Sequence, residues 1–118
     1  EIGPASAMAA GALVSLQGGD AQAVMHGAAL ALKNMLGLVC DPVAGLVEVP
    51  CIKRNSYGAV NAVTSAQLAV AGIRSAIDPD EVIESMRRIG NQLPSCLKET
   101  SEGGLAVTES ARHYQRKE

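Results

Sequence analysis

With 118 residues and a net charge of −2, the chain makes one domain at most and can bury only a modest core. It contains no Phe, no Trp and two Tyr, so Ala, Val, Leu, Ile and Met must fill that core, and small side chains give little apolar area per residue. No basic stripe with interleaved aromatics is present, which argues against a nucleic-acid partner.

The apolar runs are interrupted by Gly18, Gly19, Asp20, His26, Lys33 and Asn34, short of the roughly 18–20 residues that a membrane span needs. No signal-peptide pattern is visible. Three cysteines, Cys40, Cys51 and Cys96, are an odd number for a disulfide scaffold, so reduced cytoplasmic thiols or metal ligands are expected. The chain opens at Glu1 without a Met and reads as a piece of a longer protein.

In chain order, a first helix is expected over residues 4–16. Pro4 suits a first turn that needs no amide donor, and Gly18-Gly19 suits its end. Asp20 is placed to cap a second helix, whose Val24, Ala28, Ala31, Leu32 and Met35 share one face and which Gly37 stops. Residues 38–50, punctuated by Pro42, Gly45 and Pro50, form an ordered loop, since proline inside a helix removes a hydrogen bond and clashes with the preceding turn.

A third helix is expected from Arg54 or Asn55 to about Ala71. Its faces are mixed, carrying Val60, Val63, Thr64, Gln67, Leu68 and Ala71. Asp78-Pro79-Asp80-Glu81 reads as a capping box opening a fourth helix, with Val82, Ile83, Met86 and Ile89 buried and Gly90 at its end. Residues 93–100 add a turn or two, and Gly103-Gly104 breaks the chain. The fold class predicted is therefore all-α: a compact bundle of four to five helices with an ordered Pro/Gly-rich cysteine loop. Residues 1–108 form the domain and 109–118 a polar, frayed tail.

The chemistry is concentrated in the loop. Ten residues separate Cys40 from Cys51, and a Pro/Gly-constrained loop can fold back to aim both sulfurs at one point. Soft thiolates suit zinc, copper(I) or an iron–sulfur cluster, and the surrounding Val, Leu and Pro would shield such a group. The spacing matches neither a zinc finger nor a ferredoxin, and buried cysteines often serve simply as small hydrophobes.

Nearby polar residues are candidate substrate contacts. Arg54 suits a carboxylate, and with Lys53 it would also offset thiolate charge. Asn55 either orients substrate or caps the third helix. Asp41 either accepts an ammonium or makes a turn before Pro42. Lys33 either reaches the site or complements a helix dipole. Glu99 and Thr100 either reach the site or form a local turn. His26 reads as a packed structural histidine, His113 as solvated, and Cys96 as an ordinary cysteine.

The run from Cys40 to Cys51, Cys-Asp-Pro-Val-Ala-Gly-Leu-Val-Glu-Val-Pro-Cys, followed by Arg54-Asn55, resembles the signature of iron–sulfur-dependent L-serine dehydratases. Glu99-Thr100 with Gly103-Gly104-Leu105-Ala106 resembles a second segment of that family, and Glu1-Ile2-Gly3 the residues just after a third. The resemblance extends to about Thr108; the tail after Val107 departs from it.

The resemblance implies a [4Fe–4S] cluster held by three cysteines. Cys40 and Cys51 occupy two of those positions, and the third lies before Glu1. It further implies a lyase of serine catabolism that converts L-serine to pyruvate and ammonia. That enzyme would work with an upstream region or a separate beta chain, as a homo- or hetero-oligomer. The catalytic base is expected outside this sequence, so the piece alone is expected to lack activity and cluster. Two alternatives remain at this level: a related cluster lyase acting on another amino acid, and a metal-free helical assembly domain with buried cysteines.

Overall fold

Small residues decide how this chain packs. In the computed structural model, which describes residues 1–115, the helices are α1 (Ile2–Leu16), α2 (Ala21–Lys33), α3 (Cys51–Val70), α4 (Pro79–Gln92) and α5 (Glu109–Gln115). Single 3-10 turns lie at Val43–Gly45, Ser95–Leu97 and Gly104–Val107. Among the described residues the only β pairing is an isolated parallel bridge between Cys40 and Lys98. The all-α architecture follows the sequence.

Helices α1, α2 and α3 pack against one another, and α4 packs on α2. The contact faces are nearly free of bulk. α1 buries Gly3, Ala7, Ala10 and Val14, and α3 buries Gly58, Ala62, Ser65 and Ala69. Both sets run at alternating intervals of four and three residues, the spacing that keeps side chains on one helical face.

Large apolar residues mostly point away from this contact. Met8, Leu16, Tyr57, Val60 and Val63 are exposed, so the packed face of α3 is the small one rather than the one with the bulkiest hydrophobes. On α4, Val82 is buried and Met86 and Ile89 are half-buried, but Ile83 is exposed. That helix meets one neighbour and buries a single narrow stripe.

A polar seam ties the three packed helices together. Ser6 Oγ donates to Gly58 O (2.7 Å), and Asn61 Nδ2 reaches both Ser6 Oγ (3.0 Å) and Ala31 O (2.9 Å). Asn34 Nδ2 donates to Asn61 Oδ1 at 2.9 Å. Buried polar atoms are thereby satisfied where the helices approach too closely for larger side chains.

The close approach is demanding at Gly27. A Cβ there would lie 2.8 Å from Val14 Cγ2 and 3.4 Å from Ala69 Cβ, and Val14 is fully buried. Gly27→Ala should therefore destabilise the chain by about 1–2 kcal/mol, the overpacking cost exceeding the gain in helix propensity. Gly90 has nothing within 4 Å of the same position, and Gly90→Ala should stabilise by about 0.5–1 kcal/mol. Thermal denaturation of the two variants side by side checks the contrast.

Several helix ends differ from the sequence expectation. α1 starts at Ile2, so Pro4 lies later in the first turn, where its missing N–H is still harmless. Asp20 caps α2 through Ala23 N at 2.8 Å, but that helix ends at Lys33 and turns through to Gly37. α3 begins at Cys51 rather than Arg54 or Asn55, with Pro50 as its cap.

Asp78 caps α4 through Asp80 N at 2.9 Å. The capping bond thus goes to the second helical residue rather than through a reciprocal box with Glu81. Gly90 lies inside α4. Residues 109–115, expected to fray, form α5, which packs on the turns Val43–Gly45 and Gly104–Val107; residues 116–118 of the expected tail lie outside the described residues.

Candidate functional site

The cysteine loop is held by a clasp from the other end of the chain. Cys40 N donates to Leu97 O (3.0 Å) and Glu99 N donates to Cys40 O (2.9 Å). Ser101 Oγ donates to Pro42 O, and Gly45 N donates to Ser101 Oγ (2.9 Å). Within the loop, Val43 N donates to Val49 O at 2.9 Å, closing it just before α3. Ala44 and Gly45 turn with φ of 59° and 73°.

Asp41 is the centre of the clasp. It is 2% exposed. Its Oδ1 accepts from Arg54 Nη1 at 2.7 Å, and its Oδ2 accepts from Leu105 N at 2.6 Å. Arg54 Nη1 also donates to Val39 O at 3.0 Å. Gly104 passes so close that an added Cβ would stand 2.3 Å from Asp41 Oδ2, and its φ of 58° lies in the left-handed region that glycine tolerates. Gly104 and Leu105 together seat a buried carboxylate.

Beside the clasp lies a cavity of about 210 Å³, bordered by Cys40, Cys51, Arg54, Asn55, Glu99 and Glu1. Its apolar walls come from Ile2, Met35, Leu38, Val39 and Val47, with Met86, Gly90 and Leu93 from α4 and just beyond it. Both loop thiols thus face one space, and both are half-buried. Arg54 keeps Nε and Nη2 without a protein partner among the described residues.

The other predicted residues sit elsewhere. Asp41 does not border the cavity; it braces Arg54. Lys33 ends α2 away from the cavity wall. Asn34 belongs to the polar seam. Cys96 lies behind the loop against Gly103. His26 accepts from Ser75 N at 3.2 Å, fastening the segment after α3, and His113 is exposed on α5, its Nδ1 2.8 Å from Glu109 O. The contribution of Met86 and Leu93 to the cavity had no signal in the sequence, because it depends on how α4 docks.

Burial pushes the Cys40 thiol above its ordinary pKa, and the Glu99 carboxylate and the Cys51 thiol add to the shift. The chain therefore favours protonated Cys40, and only thiolate is nucleophilic. Iodoacetamide should label Cys40 more slowly than a free peptide thiol at neutral pH. Its rate should reach half-maximum above the unperturbed value of about 8.5, as followed by mass spectrometry across a pH series. A half-maximum below that value would contradict the burial seen here.

Residues 1–106 match the family described as serine dehydratase alpha chain. The chain belongs to that family. It is 55% identical over 117 residues to the probable L-serine dehydratase, alpha chain, of Bacillus subtilis, covering 99% of this chain and 39% of that protein. To the probable L-serine dehydratase, alpha chain, of Latilactobacillus sakei it is 59% identical over 108 residues, covering 92% and 52%. To the L-serine dehydratase, alpha chain, of Peptoniphilus asaccharolyticus it is 47% identical over 116 residues, covering 98% and 40%. The chain thus spans between about two fifths and about half of the length of these curated relatives.

No helix among the described residues is long and apolar enough to cross a membrane. The donor chemistry of the cavity fits a thiolate-bound cluster in part: two thiols share an apolar-walled space with a guanidinium beside them. Among the described residues no group of three His, Cys, Asp or Glu side chains is placed to hold a metal.

Proposed function

We propose that the protein containing this chain is an L-serine ammonia-lyase that converts L-serine to pyruvate and ammonia, with Cys40 and Cys51 as two of the thiolates that hold a [4Fe–4S] cluster. The remaining ligand and the catalytic base come from outside this sequence, from another region of the same protein or from a beta chain in an oligomer. A cytoplasmic location accords with reduced thiols. The single observation that carries this reading is the convergence of Cys40, Cys51 and Arg54 on one cavity.

When bound, the cluster supplies a Lewis acid that makes the substrate hydroxyl a better leaving group. The residues of this chain prepare that chemistry. Cys40 and Cys51 hold the group, each anchored at one end of a closed loop. Arg54 presents its remaining N–H donors to the serine carboxylate in the paired geometry that guanidinium favours, and Asp41 fixes its position.

Asn55, one turn into α3, offers an amide to the substrate. Lys33 contributes long-range positive charge from the end of α2. The apolar walls limit water, which strengthens each of these polar contacts. Loss of the α-proton and of water leaves an aminoacrylate, whose hydrolysis gives pyruvate and ammonia.

Anaerobic iron–sulfur reconstitution tests the proposal, with this chain beside the longer protein. Cluster absorbance and iron content in the longer protein alone, together with pyruvate formed from L-serine, is the expected result. Absence of cluster from both would remove Cys40 and Cys51 as ligands. Cluster with turnover of a different amino acid and none of serine would leave the fold assignment intact and change the substrate.

A further inference from the structure

Serine is a zwitterion at neutral pH, so a site that recognises it as an α-amino acid needs an anion as well as a cation. Arg54 offers the cation. Asp41, the acid next to Cys40 in sequence, is not available, because both its oxygens are engaged and it lies behind the cavity wall.

Glu99 does border the cavity. Its amide donates to Cys40 O at 2.9 Å, which sets it beside one of the two thiols. Its side chain is exposed, and its carboxylate has no hydrogen bond or ion pair among the described residues.

The backbone at Glu99 is unusual. Its φ is 61°, one of two positive values at non-glycine residues among those described. Glycine or asparagine would adopt this conformation more readily. The neighbours impose it: Thr100 Oγ1 donates to Cys96 O, and Ser101 Oγ donates to Pro42 O. A strained glutamate with no structural partner among the described residues, bordering an apolar-walled cavity that Arg54 also borders, is the pattern expected at a functional site.

Resting on the serine reading, we infer that Glu99 receives the α-ammonium group of the substrate while Arg54 receives its carboxylate, so that the pair selects zwitterionic α-amino acids over hydroxy acids that lack the amine. Glu1 also borders the cavity, but no hydrogen bond fixes its side chain, and it serves as the comparison.

The test uses the full-length holoenzyme and reads KM and kcat for L-serine, the inhibition constant of 3-hydroxypropanoate (which lacks the amine), L-serine affinity by calorimetry, and Tm. In Glu99→Gln, KM should rise about ten- to hundred-fold while kcat changes less than about threefold. Calorimetric affinity should fall in step, and inhibition by 3-hydroxypropanoate should stay level or strengthen. Glu99→Gly fits the backbone better, so Tm should hold or rise although KM rises as in Glu99→Gln. Glu99→Asp should recover part of the affinity.

An unchanged KM in both Glu99→Gln and Glu99→Gly would overturn the inference. So would a parallel loss of 3-hydroxypropanoate binding, or a KM increase that follows Glu1→Gln instead. If the wild-type holoenzyme makes no pyruvate from L-serine, the serine reading itself has failed; an active wild type with indifferent Glu99 variants sinks only this inference.

Discussion

Replacing Asp41 by Ala is expected to destabilise the chain by about 3–5 kcal/mol, because it strips the partner from a part-buried guanidinium and leaves the part-buried Leu105 amide without its acceptor. The magnitude follows from the site. Asp41 is 2% exposed and Arg54 22% exposed, so water does not readily replace the lost contacts. A domain of this size has a total stability of only about 5–15 kcal/mol, so the variant should lie close to unfolding.

Asp41→Asn keeps the shape and should lose about 1.5–3 kcal/mol, the worth of hydrogen bonds to a charged group. Gly104→Ala attacks the same contact from the other side, through a Cβ set 2.3 Å from Asp41 Oδ2 and a φ of 58°; about 2–4 kcal/mol is expected. Combined with Asp41→Asn, its effect should be less than additive, since each change already loosens the clasp that the other would break. Urea denaturation of the two singles and the double measures this. Full additivity would mean that the clasp is not one unit, and an Asp41→Ala protein within about 1 kcal/mol of wild type would mean that the ion pair does not hold the loop.

The sequence was most legible where a local signal decides the outcome. Asp20 and Asp78 start helices because their carboxylates cap nearby amides, and Pro79 fits a first turn wherever that turn is placed. The loop of residues 38–50 was readable because Pro42 and Pro50 forbid a continuous helix.

Three features were not readable, each for a physical reason. The start of α3 at Cys51 depends on the Val43–Val49 hydrogen bond that closes the loop and delivers Pro50 as a cap. The packed face of α3 depends on close helix approach through Gly58, Ala62 and Ala69, whereas hydrophobicity alone weights Val60, Val63 and Leu68. The roles of Asp41, Ser101 and Gly104 arise from contacts between segments some sixty residues apart, which no local pattern encodes. For the site, the sequence could single out Cys40, Cys51, Arg54 and Asn55 as neighbours along the chain. It left open whether Glu99 and Thr100 reach the site or form a local turn, and could not show that Glu99 borders the cavity while Thr100 braces the turn and Asp41 faces inward.

Under the proposed function the three cysteines differ in role, and iron content can tell them apart. Cys40→Ser and Cys51→Ser, each made in the longer protein and reconstituted without oxygen, should lower retained iron on the order of a hundredfold, with pyruvate formation from L-serine falling in parallel. A hundredfold loss corresponds to about 2.8 kcal/mol, a modest share of binding for one thiolate among several. Cys96→Ser should retain both iron and activity. Cys96 lies against Gly103, where an added Cβ would come within 3.2 Å of its sulfur, and it does not border the cavity. Its replacement by the slightly smaller serine should cost about 1 kcal/mol of stability without reaching the ligand set. Iron lost equally from all three variants would indicate general disruption of the clasp, since Cys96 O accepts from Thr100 and that segment supports Cys40. Far-UV circular dichroism of each metal-free variant distinguishes the two: a ligand role leaves the helices of Cys40→Ser and Cys51→Ser intact, and a purely structural role does not.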